Sequence, residues 1–141
     1  MCRATPAYTR FRSRYPSAAG HKIGIFGLVN VLGRHGTLTP EEERFRRENN
    51  DWYDAAYPDP ALADPAVYDQ AVNPDAEAWF KTSALELLGR VSGYLAILDA
   101  HGIAWEQVWA DHPGKIIYED AYQVVALRKD ARACSVPDEK V

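Results

Sequence analysis

The chain has 141 residues, of which 47% are apolar, and a formal net charge of −4, which is ordinary for one globular domain. No apolar run approaches the roughly 18 residues that a membrane-spanning helix needs, and the polar, Arg-rich residues 1–20 contain no signal-peptide core. We therefore expect a cytoplasmic protein without a membrane partner. The chain has two cysteines, Cys2 and Cys134, which do not have the spacing of metal ligands. This low cysteine content is consistent with a reducing compartment.

Charge is distributed unevenly along the chain. Residues 1–40 contain six Lys or Arg side chains and no Asp or Glu, whereas residues 48–77, the acidic segment, contain eight Asp or Glu side chains and no Lys or Arg. The total charge therefore conceals a basic head and an acidic body. This uneven charge is the one global feature of the sequence that stands out.

Three regions are predicted along the chain. Residues 1–21 have neither a helical nor a strand period and contain Pro6 and Pro16, which predicts an extended or partly disordered basic arm. Residues 22–128 have the periodic apolar pattern of a single α+β domain, and residues 129–141 form a polar tail.

Two helices are predicted in the first half of the domain. Apolar residues with a 3.6-residue period favour a helix over 22–34, although its three glycines leave a buried strand over 23–29 as the alternative. A second helix over 40–57 begins after Thr39, with proline at its first position and Glu42 completing a capping box.

The second half changes its period. Residues 58–74 form a Pro/Asp-rich connector, in which we recognise no internal repeat, and the longest predicted helix runs from about Pro74 to Arg90 and, after a kink, on to Ala100. From residue 103 onward the period is two, which predicts three short strands. The fold class is thus α+β, with three or so helices packed on a C-terminal three-stranded antiparallel meander.

The second helix carries a candidate ligand site. Spacings of three and four residues put Arg47, Asn50 and Asp54 on one side, beside Trp52 and Tyr53. Such a row could line a pocket that hydrogen-bonds a polar small molecule, or it could be a solvated helix face.

Candidate catalytic groups are few. Asp111, His112, Glu119 and Asp120 are predicted to lie in hairpin turns, where functional groups are often held, although turns also favour Asp for conformational reasons. Together with Asp54 they could serve a small enzyme that needs no cofactor. The histidines lack metal-ligand spacing, so no metal site is predicted.

The arm is a candidate contact surface in which charge and aromatic rings are interleaved. Its residues of interest are Arg10, Phe11, Arg12, Arg14 and Tyr15. This mixture suits single-stranded nucleic acid, but the arm can equally pair with the acidic segment in the same chain or in a partner subunit.

No catalytic signature selects one function, so three hypotheses remain. The first is an accessory or interaction domain that uses its basic arm against an acidic surface, on a protein partner or on itself. The second is a small cofactor-free enzyme with a polar-aromatic pocket for a small molecule. The third is nucleic-acid binding through the arm, which the acidic body makes less favourable.

Overall fold

A computed structural model describes residues 6–17, 22–69, 71–73, 75–127 and 132–134, the last three by their backbone alone. The elements are β1 (Tyr8–Ser13), α1 (Ile25–Arg34), α2 (Pro40–Ala56), α3 (Pro60–Ala63), β2 (Ala76–Lys81), α4 (Leu85–Gly89), α5 (Val91–Ala100), β3 (Trp105–His112), β4 (Lys115–Glu119), β5 (Gln123–Leu127) and β6 (Arg132–Cys134).

The α+β class is confirmed, but the predicted number and arrangement of strands are wrong. Across the described ranges the sheet has six strands, in the order β4-β5-β2-β1-β3-β6. The β4–β5 hairpin is present, whereas β2 and β1 lie between β5 and β3. The C-terminal strands therefore do not form a three-stranded meander, because strands from earlier in the chain separate them.

Residues 76–81, predicted as part of the longest helix, form β2 instead. This strand pairs antiparallel with β5 on one side and with β1 on the other, and its Trp79 is aligned with Val124. Asp75 precedes it with a φ of 61°, which a continuous helix does not allow. Alanine and glutamate favour helices locally, so pairing along both edges overrides their preference. Pro74, the predicted first helical residue, lies outside the described residues.

Residues 8–13, predicted as part of an arm without a strand period, form β1 in the interior of the sheet. Thr9 is only 1% exposed, and its Oγ1 donates a hydrogen bond of 2.9 Å to the Val108 carbonyl oxygen. Residues 1–5 and 18–21 of that arm lie outside the described residues. The limits proposed for the arm, the domain and the tail stay predictions.

The described chain divides into two compact units. The helical unit comprises Phe11–Ala56 and Gly89–Gln107, and the sheet unit takes its described residues from Met1–Arg10, Tyr57–Leu88 and Val108–Val141.

The helical unit confirms the first two predicted helices. Its α2 has the expected capping box: the Thr39 N–H donates to Glu42 Oε1 at 2.9 Å, and the Glu42 N–H donates to Thr39 Oγ1 at 3.1 Å. The buried core comes from α1 and α5 and consists of Ile25, Val29, Val91, Tyr94, Ile97 and Leu98.

The sheet unit has a core of its own. Trp79 of β2 is 3% exposed and packs with small and branched side chains of the neighbouring strands, and Tyr8 of β1 packs against this cluster. The other buried members are Val108, Ala110, Val124 and Ala126. Both faces of β5 are covered, since four of its five residues are buried.

Gly93 of α5 lies directly against the Phe45 ring of α2. A Cβ added to Gly93 would overlap the Phe45 ring, which itself packs edge-on against Tyr94 with centroids 5.1 Å apart. The ring therefore has little freedom to move aside.

We expect Gly93→Ala to lower the free energy of unfolding by about 1–3 kcal/mol, because the added methyl group overpacks the contact with Phe45. Urea unfolding followed by circular dichroism would measure the loss. The control is Gly89→Ala, where nothing lies within 4 Å of the added Cβ. Equal unfolding free energies for the two variants would contradict this account of the α2–α5 contact.

Candidate functional site

The predicted pocket residues of α2 bond to different parts of the helical unit. The Arg47 side chain is 72% exposed, and its Nε donates to Glu43 Oε2 at 2.7 Å, one turn earlier on the same helix. Asn50 is partly buried and bonds to Tyr94, whereas Asp54 is exposed. Arg47 and Asn50 are thus one turn apart on the helix as expected, but they bond to different residues.

Asn50 belongs to a partly buried hydrogen-bond network. The hydroxyl of Tyr94, a residue with 0% exposure, donates to Asn50 Oδ1 at 2.7 Å, and Asn50 Nδ2 donates to Asn30 Oδ1 at 2.9 Å. Arg46 Nη1 donates to the same Asn30 oxygen at 3.2 Å. Burial raises the pKa of Tyr94 and keeps the phenol protonated. This network joins α1, α2 and α5, which is a structural role.

Two carboxylates of α2, those of Glu42 and Glu43, are also engaged. Glu43 accepts from Arg46 Nε at 2.9 Å and from Arg46 Nη2 and Arg47 Nε at 2.7 Å each. These hydrogen bonds, chiefly those from Arg46, lower the pKa of Glu43 to about 2. Glu42 Oε1 lies 2.8 Å from His101 Nε2, and this contact is the main reason that the pKa of Glu42 is lowered.

The aromatic residues proposed to border the pocket are packed within the helical unit. The ring centroids of Tyr53 and Phe26 are 5.1 Å apart in an edge-on contact. The Arg90 guanidinium lies 3.8 Å from the centroid of Trp52, and its Nη1 donates to Asn49 Oδ1 at 3.2 Å. One face of Trp52 is thus already covered by a cation of this chain.

Two of the candidate catalytic carboxylates of the sheet unit serve the backbone or an ion pair. Asp111 Oδ1 accepts from the Ala7 N–H at 3.0 Å, and Glu119 Oε2 lies 2.6 Å from Lys81 Nζ. His112 is exposed at the end of β3.

Asp120 organises the β4–β5 turn. Its Oδ1 accepts from the backbone N–H groups of Tyr122 and Gln123 at 2.8 and 3.0 Å, and its Oδ2 accepts from the Tyr118 hydroxyl at 2.7 Å. The hydrogen bond to Asp120 raises the pKa of Tyr118 to about 12, so this phenol is less acidic than usual. The geometry is that of a stabilised turn.

The basic residues of β1 are mostly engaged within their own units. Arg10 Nη1 donates to the Ala78 carbonyl oxygen at 2.7 Å. Arg12 Nε lies 2.8 Å and Lys22 Nζ 3.1 Å from Glu106 Oε2. Burial alone would raise the pKa of Glu106, but the hydrogen bonds from Arg12 and Lys22 lower it. The partner of Arg12 thus lies outside the acidic segment.

The end of β1 presents exposed side chains. Phe11 packs against Trp105 with centroids 6.4 Å apart, whereas Arg14 is exposed and Tyr15 is 68% exposed. We call Arg14 and Tyr15 the strand tip. The Arg14 N–H donates to the Ala104 carbonyl oxygen at 3.0 Å, so the backbone of the tip is fixed while its side chains project outward.

The connector contains a five-residue repeat that sequence analysis missed. Three successive pentapeptides begin at Asp59, Asp64 and Asp69, with the sequences DPALA, DPAVY and DQAVN. In each one, the Asp Oδ1 accepts from the N–H of the alanine two residues later, at 2.9, 3.1 and 2.9 Å. The Asp carbonyl oxygen accepts from the N–H three residues later, at 3.0, 2.9 and 3.0 Å. The connector is therefore one Asp-capped turn built three times.

The apolar residue at the fourth position of each turn alternates between solvent and core. Leu62 is 84% exposed, Val67 is 0% exposed and Val72 is 59% exposed. The capping aspartates are exposed as well. We call the two exposed apolar side chains and the three aspartates the connector surface. It combines apolar area with negative charge, in a segment without any Lys or Arg.

In the part of the chain that the structure describes, no group of three or more His, Cys, Asp or Glu side chains is arranged to hold a metal ion. No described helix is long and apolar enough to cross a membrane. No protein-family model matches the chain, and neither the curated proteins nor the solved structures contain a significant match.

We expect Tyr94→Phe to lower the free energy of unfolding by about 1–3 kcal/mol, because it leaves the partly buried Asn50 without its hydroxyl donor. Thermal and urea unfolding would measure the effect. Tyr15→Phe removes the same hydroxyl from an exposed ring and should change stability little. A similar decrease in unfolding free energy in both variants would show that the Tyr94–Asn50 hydrogen bond makes no specific contribution to stability.

The ion pairs of Glu43 make the free energy of unfolding depend on pH. The pKa of Glu43 falls from 4.5 to about 2 on folding, so the pairs contribute fully above pH 4.5 and are lost as the pH falls toward 2. The difference in urea midpoint between the wild type and Glu43→Gln should therefore narrow over that range. The exposed Glu48→Gln on the same helix is the control. A pH-independent difference for Glu43→Gln would contradict the assignment.

Proposed function

We propose that the protein is a non-catalytic interaction module that binds a basic, apolar segment of a protein partner through the connector surface. The observation that carries this proposal is that Leu62 and Val72 are exposed in turns whose capping aspartates are exposed as well.

Apolar burial supplies the affinity in this proposal. Leu62 and Val72 leave 84% and 59% of their surface in water. Full burial of such a side chain contributes about 1.5–3 kcal/mol. Leu62 and Val72 are ten residues apart along the chain, and both lie in turns. We therefore assign the contact with the partner to these side chains and not to added strand pairing.

Charge supplies selectivity. Asp59, Asp64 and Asp69 are exposed, and the acidic segment offers no internal Lys or Arg to neutralise them. A field of one sign accelerates encounter with a basic partner and disfavours an acidic one. Each aspartate is also fixed by its own turn, so binding orders little additional chain.

The two alternatives have less support. Of the candidate catalytic carboxylates, Asp111 accepts from the Ala7 N–H, Glu119 pairs with Lys81, and Asp120 accepts from the backbone of its own turn, so all three have structural partners. Nucleic-acid binding through the arm would depend on Arg10, Arg12 and Arg14, of which Arg12 is paired with Glu106. The enzyme and nucleic-acid hypotheses stay predictions.

The first test uses a short labelled peptide in which arginine and tyrosine alternate, with fluorescence anisotropy as the measurement. We expect the full chain to bind it with an affinity that falls as salt is added. The triple variant Asp59→Asn, Asp64→Asn, Asp69→Asn removes the charges but keeps an Oδ1 acceptor for each turn. It should weaken binding by roughly tenfold, at about 0.2–1 kcal/mol for each charge.

Leu62→Ser should weaken peptide binding by roughly tenfold as well, since it removes the most exposed apolar contact. The matched control is Leu85→Ser, which is 75% exposed but lies outside the connector. A peptide with glutamate in place of arginine should not bind. No binding of the basic peptide, or binding unaffected by the connector variants, would overturn the proposed function.

A further inference from the structure

We propose that the segment received by the connector surface is the strand tip of a second copy of this chain, so that two copies form a twofold-symmetric dimer. This inference rests on the proposed function and names its partner. It adds Arg14 and Tyr15 as the residues that enter the contact.

The strand tip has the side chains that the connector surface requires. Arg14 is exposed and basic, and Tyr15 adds an aromatic ring that is 68% exposed. A guanidinium matches carboxylates, and a tyrosine ring can cover Leu62 or Val72 while its hydroxyl stays in water. Both kinds of complementarity therefore occur between two surfaces of one sequence.

The tip is also fixed before binding. Its backbone is held by the bond from the Arg14 N–H to Ala104, and Ser13 Oγ donates to the Tyr15 carbonyl oxygen at 2.9 Å. Ser13 Oγ in turn accepts from the Ile23 N–H at 3.0 Å. Two preformed surfaces lose little conformational entropy when they meet.

Symmetry makes the contact occur twice. In a twofold dimer each copy contributes one tip and one connector surface, so the same contact forms two times and leaves neither surface unpaired. The strand tip contributes two side chains, so we expect an interface below standard size with a dissociation constant on the order of 1–100 μM.

The test is charge reversal on each side, followed by mixing. We expect native mass spectrometry and sedimentation velocity to show a concentration-dependent dimer of the full chain. Arg14→Glu and Asp64→Lys should each weaken the dimer at least tenfold, since like charges then face each other. Arg34→Glu, which reverses another exposed arginine, is the control for charge and should leave the dimer unchanged. The circular dichroism spectrum of each variant is the control for folding.

An equal mixture of Arg14→Glu and Asp64→Lys should restore a dimer that contains one copy of each. In that heterodimer one contact pairs the introduced glutamate with the introduced lysine, and the other is the wild-type contact. The two masses differ, so native mass spectrometry identifies the heterodimer directly. Its appearance would support the reciprocal contact, because two variants that had merely lost stability would not form a dimer when mixed.

The outcomes separate this inference from the proposed function. A chain that stays monomeric at all concentrations, a dimer that Arg14→Glu leaves unchanged, or a mixture that forms no heterodimer would each overturn the self-docking. If the Arg-Tyr peptide still binds in those cases, the proposed function stands with a different partner. If that peptide does not bind either, both proposals are wrong.

Discussion

The pairing of β2 on both of its edges is the constraint on which the sheet depends. β5 lies on one side and β1 on the other, so this short central segment aligns the C-terminal hairpin with the N-terminal strand. Without it, β4 and β5 would be a hairpin of marginal stability. The buried Trp79 adds the largest side chain of the local core at the same place. Backbone pairing and side-chain burial thus act through one strand.

Residues with the chemistry of a ligand site are used here to hold helices together. Asn30, Arg46, Asn50 and Tyr94 satisfy one another inside the helical unit, where an unpaired polar group would cost free energy. Trp52 likewise stacks with Arg90 of its own chain. Polar-aromatic composition on a helix therefore does not by itself identify a pocket. Exposed apolar and charged side chains lie instead on the connector surface and the strand tip.

The parts of the fold that could be predicted from sequence are those with local causes. The capping box at Thr39 and the apolar stripe of α1 act within a few residues, so the sequence predicts both helices. β2 has alanines and a glutamate that favour a helix, and only strands distant in sequence make it extended. Of the candidate sites, the exposed strand tip could be recognised from its composition, whereas the connector could not, because its five-residue period matches neither a helix nor a strand.

That five-residue period also constrains how the connector can change in length. Burial switches from one turn to the next, with Leu62 outside, Val67 inside and Val72 outside. Loss of a single pentapeptide would either remove the turn with the buried valine or shift that valine away from its place in the core. Insertions and deletions that preserve the packing therefore come in steps of ten residues, and related chains with longer or shorter connectors should differ by whole pairs of turns.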